Sequence, residues 1–415
     1  MHYVIVGAGP TGVTAAENLR QVDPDGSVTL IGGEKEPPYG RMAIPYYLIG
    51  KVGEEGTYLR KGDDHYGKAG IDYVQGTVEK VSPDDKSVML AGGQSIAYDK
   101  LLVASGSHPV KPPVAGLEGP RVHHCWTLED ARAIAGITGE GVDVVLMGAG
   151  FIGCIIMEAL ALSGANLTVI EAEDRMVPRM MDQTAGNMIR DWCIEKGVNV
   201  LTSARVTSVE ETGERLKVGV SSGDVVEADL VVVATGVRPN VGFLDGSGVA
   251  VEAGILVDDA LQTNVADIYA AGDVAQGPNY STQGNDVHAI QPTGVEHGRM
   301  AALSMAGKGV KYRGSLNMNV LDTLGLISYS FGLWQGVEGG ESVSRVDKDN
   351  YRYTLLNFDG DYLVGAVMIG RTDAIGVLRG LIQTPVNIGP WKEKLKQDPN
   401  RVVEAYIECS RGQGA

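Results

Sequence analysis

The stretch Met1-His2-Tyr3-Val4-Ile5-Val6-Gly7-Ala8-Gly9-Pro10-Thr11-Gly12 opens the chain and decides how the rest is read. Tyr3 to Val6 is a short apolar run with strand character. It leads without a break into a G-x-G-x-x-G, Gly7 to Gly12, and an Ala-rich pattern with helical spacing follows from Val13 to Leu19. Strand, glycine turn and helix, in that order, form the setting in which this motif holds the pyrophosphate of a dinucleotide. Gly7 makes the tight turn, Gly9 lets the backbone approach the phosphates, and Gly12 lets helix and strand pack closely. The free N–H groups at the helix start, on the positive end of its dipole, face the negative charge.

The pattern returns later in the chain. Asp143 to Met147 reads as a strand, Gly148-Ala149-Gly150-Phe151-Ile152-Gly153 as a second G-x-G-x-x-G, and the run to Leu162 as a helix. Asn166 to Ile170 is the next strand. Glu171 stands at its end, 18 positions after Gly153, where an acid accepts hydrogen bonds from the adenosine ribose. In the first copy the matching strand is Ser27 to Ile31, followed by Gly32-Gly33-Glu34. Glu34, 22 positions after Gly12, is the candidate acid, with a solvated loop acid as the other reading. Two copies imply two dinucleotide-binding domains and two dinucleotides.

A length of 415 residues suggests two or three domains. A hydrophobic share of 44% with 21% charged residues fits a soluble globular protein. The formal charge of −17 argues against nucleic acid as a partner and suits docking to a basic protein. Cys125, Cys154, Cys193 and Cys409 show no spacing for a redox dithiol, a zinc site or an iron–sulfur loop. They read as separate reduced thiols in a cytoplasm. The first strand begins at once, which reads against a signal peptide. Val144 to Ala165 is strongly apolar, but four glycines and Glu158 interrupt it. A buried strand–turn–helix explains it better than a membrane span.

Between and beyond the two motifs, Tyr73 to Lys80, Ser87 to Leu90 and Ile96 to Val103 read as strands, closing at Ala104-Ser105-Gly106. The Pro-rich His108 to Pro113 reads as a linker. Asn199 to Leu201, Leu216 to Val220 and Leu230 to Val233 are further strands, and Ala234-Thr235-Gly236-Val237-Arg238-Pro239-Asn240 closes the second domain. Ile268 to Ala270 runs into Gly272-Asp273: Gly272 lets a ligand come close, and Asp273 accepts a hydrogen bond from a ligand hydroxyl. A helix over Ala289 to Lys308 starts near Pro292-Thr293. From Gly314 on, strands at Arg352 to Asn357 and Tyr362 to Ile369 and a helix at Ala374 to Leu381 suggest a third, α+β domain.

With these motifs in view the chain resembles the two-dinucleotide flavoproteins of the pyridine nucleotide–disulfide oxidoreductase superfamily, most closely the rubredoxin reductase and NADH-nitrite reductase flavoprotein type. The resemblance implies an α/β fold with two Rossmann-like dinucleotide-binding domains. The FAD domain is split by an inserted NAD domain, and a C-terminal α+β interface domain follows. The implied boundaries are 1–115 and 243–312 for FAD, 116–242 for NAD(H), and 313–415 for the last domain. Gly7, Gly9, Pro10, Thr11 and Gly12 would hold FAD together with Glu34, Arg41 and Pro45. Ala104, Ser105 and Gly106 form the first interdomain crossing. Gly272 and Asp273 match the motif that binds the ribityl chain, and Pro292 and Thr293 the segment lying against the flavin ring. Gly148, Gly150, Phe151, Ile152, Gly153 and Glu171 would hold NAD(H), and Gly236, in the second interdomain crossing Ala234-Thr235-Gly236, is a further cofactor-binding candidate.

The departures from the family pattern point to the acceptor. There is no C-x-x-x-x-C, as in disulfide reductases. Where CoA-disulfide reductases and NADH oxidases carry one redox cysteine in a stretch like C-G-L-P-Y-Y, this chain has Met42-Ala43-Ile44-Pro45-Tyr46-Tyr47. A thioether forms no thiolate. The family's glutamate that pairs a lysine beside the flavin falls at Ile155. The reading is therefore hydride from NADH to FAD and electrons onward to a protein acceptor of iron–sulfur, rubredoxin or ferredoxin type. The chain would act alone, as a homodimer, or as the NADH-reacting subunit of a larger complex. A stand-alone NADH oxidase is the alternative.

No side chain is assigned as acid, base or nucleophile, and no metal site is expected, since the cofactors carry the chemistry. Arg41 either places substrate or FAD or is a surface arginine. His108, His123, His124 and His297 read as structural. Glu171 favours NADH over NADPH, because it would face the 2′-phosphate with like charge. Arg175 either folds over to meet that phosphate or pairs with Glu173 or Asp174.

Overall fold

The computed structural model describes residues 1–62 and 64–411, which form two compact units. The first comprises Met1–Pro109 and Val237–Ser315, the second Val110–Gly236 and the chain from Leu316 on.

The first unit is built on a five-stranded parallel sheet in the order Ile268–Ala270, Lys100–Val103, His2–Val6, Ser27–Gly32, Ile71–Gln75. Its inner strands are apolar almost without alternation, as a sheet covered on both faces requires. Val4, Ile5, Leu30, Leu101, Leu102 and Ile268 are buried. The helix Pro10–Val22 buries Val13, Ala15, Ala16 and Leu19. It lies against the helix Gln291–Met305 at backbone distance. A Cβ on Gly298 would collide with the Thr11 carbonyl, and one on Gly294 would lie 2.6 Å from Thr11 Oγ1. Small residues thus lock the returning segment onto the first helix.

The second unit repeats the plan. Its parallel sheet has the order Asn199–Leu201, Asn166–Ile170, Asp143–Met147, Leu230–Val233, Val122–His124. The repeat extends to an antiparallel three-stranded meander in each unit: Val78–Ser82, Ser87–Leu90, Ser95–Ala97 in the first, and Val206–Thr212, Arg215–Val220, Val225–Ala228 in the second. The second unit also holds a five-stranded antiparallel sheet. Its order is Met318–Thr323, Leu326–Gly332, Tyr362–Ile369, Arg352–Asp359, Glu341–Asp347. This sheet is pinned to the helix Gln183–Glu195: Tyr353 donates to Asp182 Oδ2 at 2.6 Å, and Trp192 Nε1 to the Thr323 carbonyl at 3.1 Å.

Three sequence expectations are corrected. His108 to Pro113 is not all linker, because Ser107–Pro109 pairs antiparallel with Val237–Pro239. Prolines are tolerated there because a two-stranded ribbon has only edges. Tyr73 to Lys80 divides into Ile71–Gln75 and Val78–Ser82, and Ile96 to Val103 into Ser95–Ala97 and Lys100–Val103. In both cases one half joins the parallel sheet and the other the meander, so a stretch that reads as one strand conceals a change of sheet. The reading also passed over two helices with polar caps. Leu128–Ile137 starts at Thr127, whose side chain and that of Asp130 form a capping box, and Gln183–Glu195 starts at Asp182, which accepts from the Ala185 N–H.

Candidate functional site

Each parallel sheet ends in the same turn, and each glycine in it has a separate physical reason. A Cβ on Gly7 would strike the Ala104 carbonyl, and one on Gly12 the Gly7 carbonyl. In the second unit a Cβ on Gly148 would lie 2.5 Å from the Ala234 carbonyl, and one on Gly153 would strike the Gly148 carbonyl. These four positions are closed by backbone. Gly9 and Gly150 differ: a Cβ at either meets no heavy atom within 4 Å. Both cap their helices with extended backbone, φ −75° and ψ −176° at Gly9, φ −72° and ψ −171° at Gly150, and neither offers a side-chain cap. Nothing in the protein requires glycine at these two positions. Bare backbone beside open space, at a helix start whose N–H groups lack a cap, fits a phosphate.

Around the first turn, Ala104-Ser105-Gly106 is clamped by Asn240. Its Nδ2 donates to the Ser105 carbonyl at 2.9 Å, while Ser105 Oγ donates to the Asn240 carbonyl at 2.8 Å. Gly272-Asp273 follows the strand Ile268–Ala270. Ser107 Oγ donates to Asp273 Oδ2 over a long 3.3 Å. Burial raises the Asp273 carboxyl above its usual range, and the Ser107 hydrogen bond and the Arg41 charge offset part of this. A partly buried carboxylate so weakly served suits a ligand that brings hydroxyl donors.

His297, read only as structural from the sequence, holds this turn in place. Its Nδ1 accepts from the Gly272 N–H at 3.2 Å, and Nε2 faces Ser315 Oγ at 3.4 Å. The ring meets Tyr312 edge-on at 4.8 Å. Burial, then the nearby His288, lowers its pKa to about 4, so it is neutral, and Nε2 carries the proton. The available signal was spacing: His297 lies one helical turn after buried Thr293 and one before buried Ala301. Thr293 is buried at the start of this helix, while Pro292 is exposed.

Glu34 is already engaged. Its Oε2 accepts from Tyr39 Oη at 2.5 Å and its Oε1 from Arg41 at 2.7 Å. Arg41 is therefore paired with Glu34 and partly exposed. Pro45 lies in the first turn of the short helix Ile44–Leu48. Met42 is 47% exposed, and all four cysteines fall in the second unit.

At the second turn, Glu171 is buried, and its carboxylate spans two backbone groups. Oε2 accepts from the Ala149 N–H at 2.6 Å, and Oε1 from the Glu173 N–H at 2.9 Å. Phe151 and Ile152 open the helix Phe151–Leu162, and Gly236 accepts at its carbonyl from the Val110 N–H at 2.9 Å. Arg175 staples the following loop: Nε donates to the Met181 carbonyl at 3.0 Å, Nη1 to Asp174 at 2.7 Å and Nη2 to the Pro178 carbonyl at 3.1 Å. Cys154 is fully buried with its thiol pushed far up by burial, a packing residue.

A family model described as pyridine nucleotide-disulphide oxidoreductase matches residues 1–297. The chain is 32% identical over 401 residues to the NADH-dependent phenylglyoxylate dehydrogenase subunit epsilon of Aromatoleum evansii, covering 96% of this chain and 95% of that one. It is 33% identical over 311 residues to a probable ferredoxin reductase of Castellaniella defragrans, covering 74% and 75% of the two chains. Among solved structures, the covalent putidaredoxin reductase–putidaredoxin complex matches with a TM-score of 0.91 at 23% identity, covering 99% of both chains, a likeness of fold. The water-forming NADH oxidase of Lactobacillus brevis, bound to NADH, matches with a TM-score of 0.86 at 26% identity over 94% of this chain and 92% of that one.

Proposed function

The chain belongs to the pyridine nucleotide-disulphide oxidoreductase family, and from that membership we propose that it carries electrons between NADH and a protein acceptor of the iron–sulfur, rubredoxin or ferredoxin type. It is an NAD(P)H-dependent FAD oxidoreductase. Bound FAD supplies the conversion between a hydride and single electrons. The chain's own residues bind, orient and exclude water.

In this reading residues 1–115 and 243–312 hold FAD, 116–242 hold NAD(H), and 313–415 form an interface domain. The Gly9 helix start takes the FAD pyrophosphate, with Pro10 in the first turn where a missing N–H costs nothing. Asp273 takes a ribityl hydroxyl, while His297 fixes the turn that presents it. The Gly150 helix start takes the NADH pyrophosphate, and Glu171 the adenosine ribose.

The observation that carries the protein-acceptor reading is the thiol-free first unit, whose exposed Met42 is the residue that the family resemblance sets against the redox cysteine. A flavin with no thiol beside it passes its electrons to an outside acceptor. The likeness over almost its whole length to a subunit of a named dehydrogenase favours work inside a larger complex, whose other subunits hold the clusters. Among the described residues no helix is long and apolar enough to cross a membrane, and a cytoplasmic setting agrees with that.

The test is anaerobic reduction by NADH followed by a screen of ferredoxin, rubredoxin and co-purifying iron–sulfur subunits, with oxygen as the control. Fast reoxidation by an iron–sulfur or rubredoxin acceptor, and slow reoxidation by oxygen, is expected. Oxygen as the fastest acceptor overturns the reading in favour of an NADH oxidase.

A further inference from the structure

The two glycine turns make equivalent hydrogen bonds in equivalent strand registers, and this exposes a difference at the ends of the neighbouring strands. Gly7 N–H donates to the Ile31 carbonyl at 2.9 Å, and Gly148 N–H to the Ile170 carbonyl at 2.8 Å. The strand registers agree, Val6 with Ile31 and Met147 with Ile170. The next residues, Gly32 and Glu171, are therefore equivalent. Where the second unit has a carboxylate, the first has no side chain at all.

That space is not vacant. A Cβ on Gly32 would strike Tyr73 Oη and come within 3.1 Å of Tyr73 Cε2 and of the Ala8 Cβ. The Tyr73 phenol, arriving from the adjacent strand Ile71–Gln75, lies where the side chain of Glu171 begins in the second unit, on the side of Ala8 in the glycine turn. Tyr73 is only partly buried, and its hydroxyl hydrogen-bonds to no described residue.

The ring is held in place by a chain of contacts leading back to the first helix. Tyr66 stacks on Tyr73 at 5.7 Å, and His65 meets Tyr66 edge-on at 5.3 Å. His65 Nε2 lies 2.9 Å from Glu17 Oε1, and Arg60 closes the set with a two-pronged bond to Glu17. A phenol fixed this firmly with an open hydroxyl is a preorganised donor and acceptor.

We propose that Tyr73 binds the adenosine ribose of FAD, doing in the first unit, without charge, what a carboxylate does in the second. A phenol both donates to and accepts from a ribose hydroxyl, and it adds no negative charge beside the pyrophosphate. The inference rests on the reading that the first unit holds FAD.

The test uses the full-length protein, stripped of flavin and titrated with FAD and with the analogue whose adenosine is 2′,3′-dideoxy, each followed by quenching of flavin fluorescence. Tyr73→Phe should weaken FAD about three- to tenfold, the worth of one hydrogen bond, and change the analogue less than about twofold. Gly32→Ala, which pushes the phenol aside, should show the same selectivity. Equal loss on both flavins assigns Tyr73 a packing role only, and no loss on either means no contact; both overturn the proposal. Failure of the wild-type chain to bind FAD at all would instead overturn the reading on which it rests.

Discussion

Gly9 and Gly12 are three residues apart in one motif, yet the structure assigns them opposite consequences. Gly9→Ala adds a methyl group that meets no protein atom within 4 Å, on backbone at φ −75° that any residue adopts. The flavin-free protein should be unaffected or more stable by about 0.4–1 kcal/mol, because the unfolded chain loses freedom. FAD should be lost. If the Gly9 helix start takes the pyrophosphate, as proposed, the methyl group stands between it and the backbone, and losing two charge-assisted bonds at about 1.5–3 kcal/mol each weakens binding about 10²- to 10⁴-fold. Gly12→Ala drives its Cβ into the Gly7 carbonyl, with Ile5 Cγ2 at 3.3 Å, so the strand and helix must part. About 3 kcal/mol of stability should go, whether flavin is present or not. Gly150→Ala is the internal control: bound FAD and stability should be kept, and reduction of that FAD by NADH should fail to saturate. Flavin content, thermal unfolding of the flavin-free chain and anaerobic stopped-flow reduction read these separately. Wild-type FAD affinity in Gly9→Ala, or a flavin-free Gly9→Ala chain that unfolds early, would refute the argument.

Four further outcomes follow from the same geometry. Wild type should prefer NADH to NADPH by roughly 30- to 1000-fold in kcat/KM with ferricyanide, since like charges in a partly buried site cost about 2–4 kcal/mol; Glu171→Gln should cut that ratio at least tenfold, and an unchanged ratio removes Glu171 from the role. Arg175→Ala should leave the ratio as it is and lower the unfolding temperature, because all three guanidinium nitrogens are spent on the loop. His297 has a folded pKa of about 4 against 6.5, so its contribution is complete above pH 6.5 and is lost as pH falls toward 4, up to about 3 kcal/mol; an acid limb in the pH–stability profile that His297→Asn does not flatten counts against this. Dithionite should deliver about two electrons per FAD, and Met42→Leu should leave turnover unchanged; uptake near four would reveal a thiol partner.

What could be read from the sequence is what is fixed within about a dozen residues. In each glycine turn one collision lies within the motif, Gly12 with the Gly7 carbonyl and Gly153 with the Gly148 carbonyl, and that part carries its own reason; the collisions of Gly7 with Ala104 and of Gly148 with Ala234 reach across to distant segments. The strands Asp143–Met147 and Asn166–Ile170 were legible to the residue because they are buried on both faces and bounded by turns. The illegible contacts join distant segments: Asn240 to Ser105 across 135 positions, and His297 to Gly272 across 25. Each depends on which strand ends meet, which no local pattern encodes.

Glu34 and Gly32 mark the border between these two cases. Spacing alone singles out the acid nearest 20 residues beyond the motif, which is Glu34 at 22 positions after Gly12; the residue at 20 is Gly32. Hydrogen-bond register, not spacing, makes Gly32 the equivalent of Glu171. A glycine there would be a weakness in the strand unless another group needed its volume. That group is Tyr73, 41 positions away, and it reaches the spot only because Ile71–Gln75 pairs in parallel with Ser27–Gly32. The absent side chain was visible in the sequence; the residue that fills its place became visible only once the strands were paired.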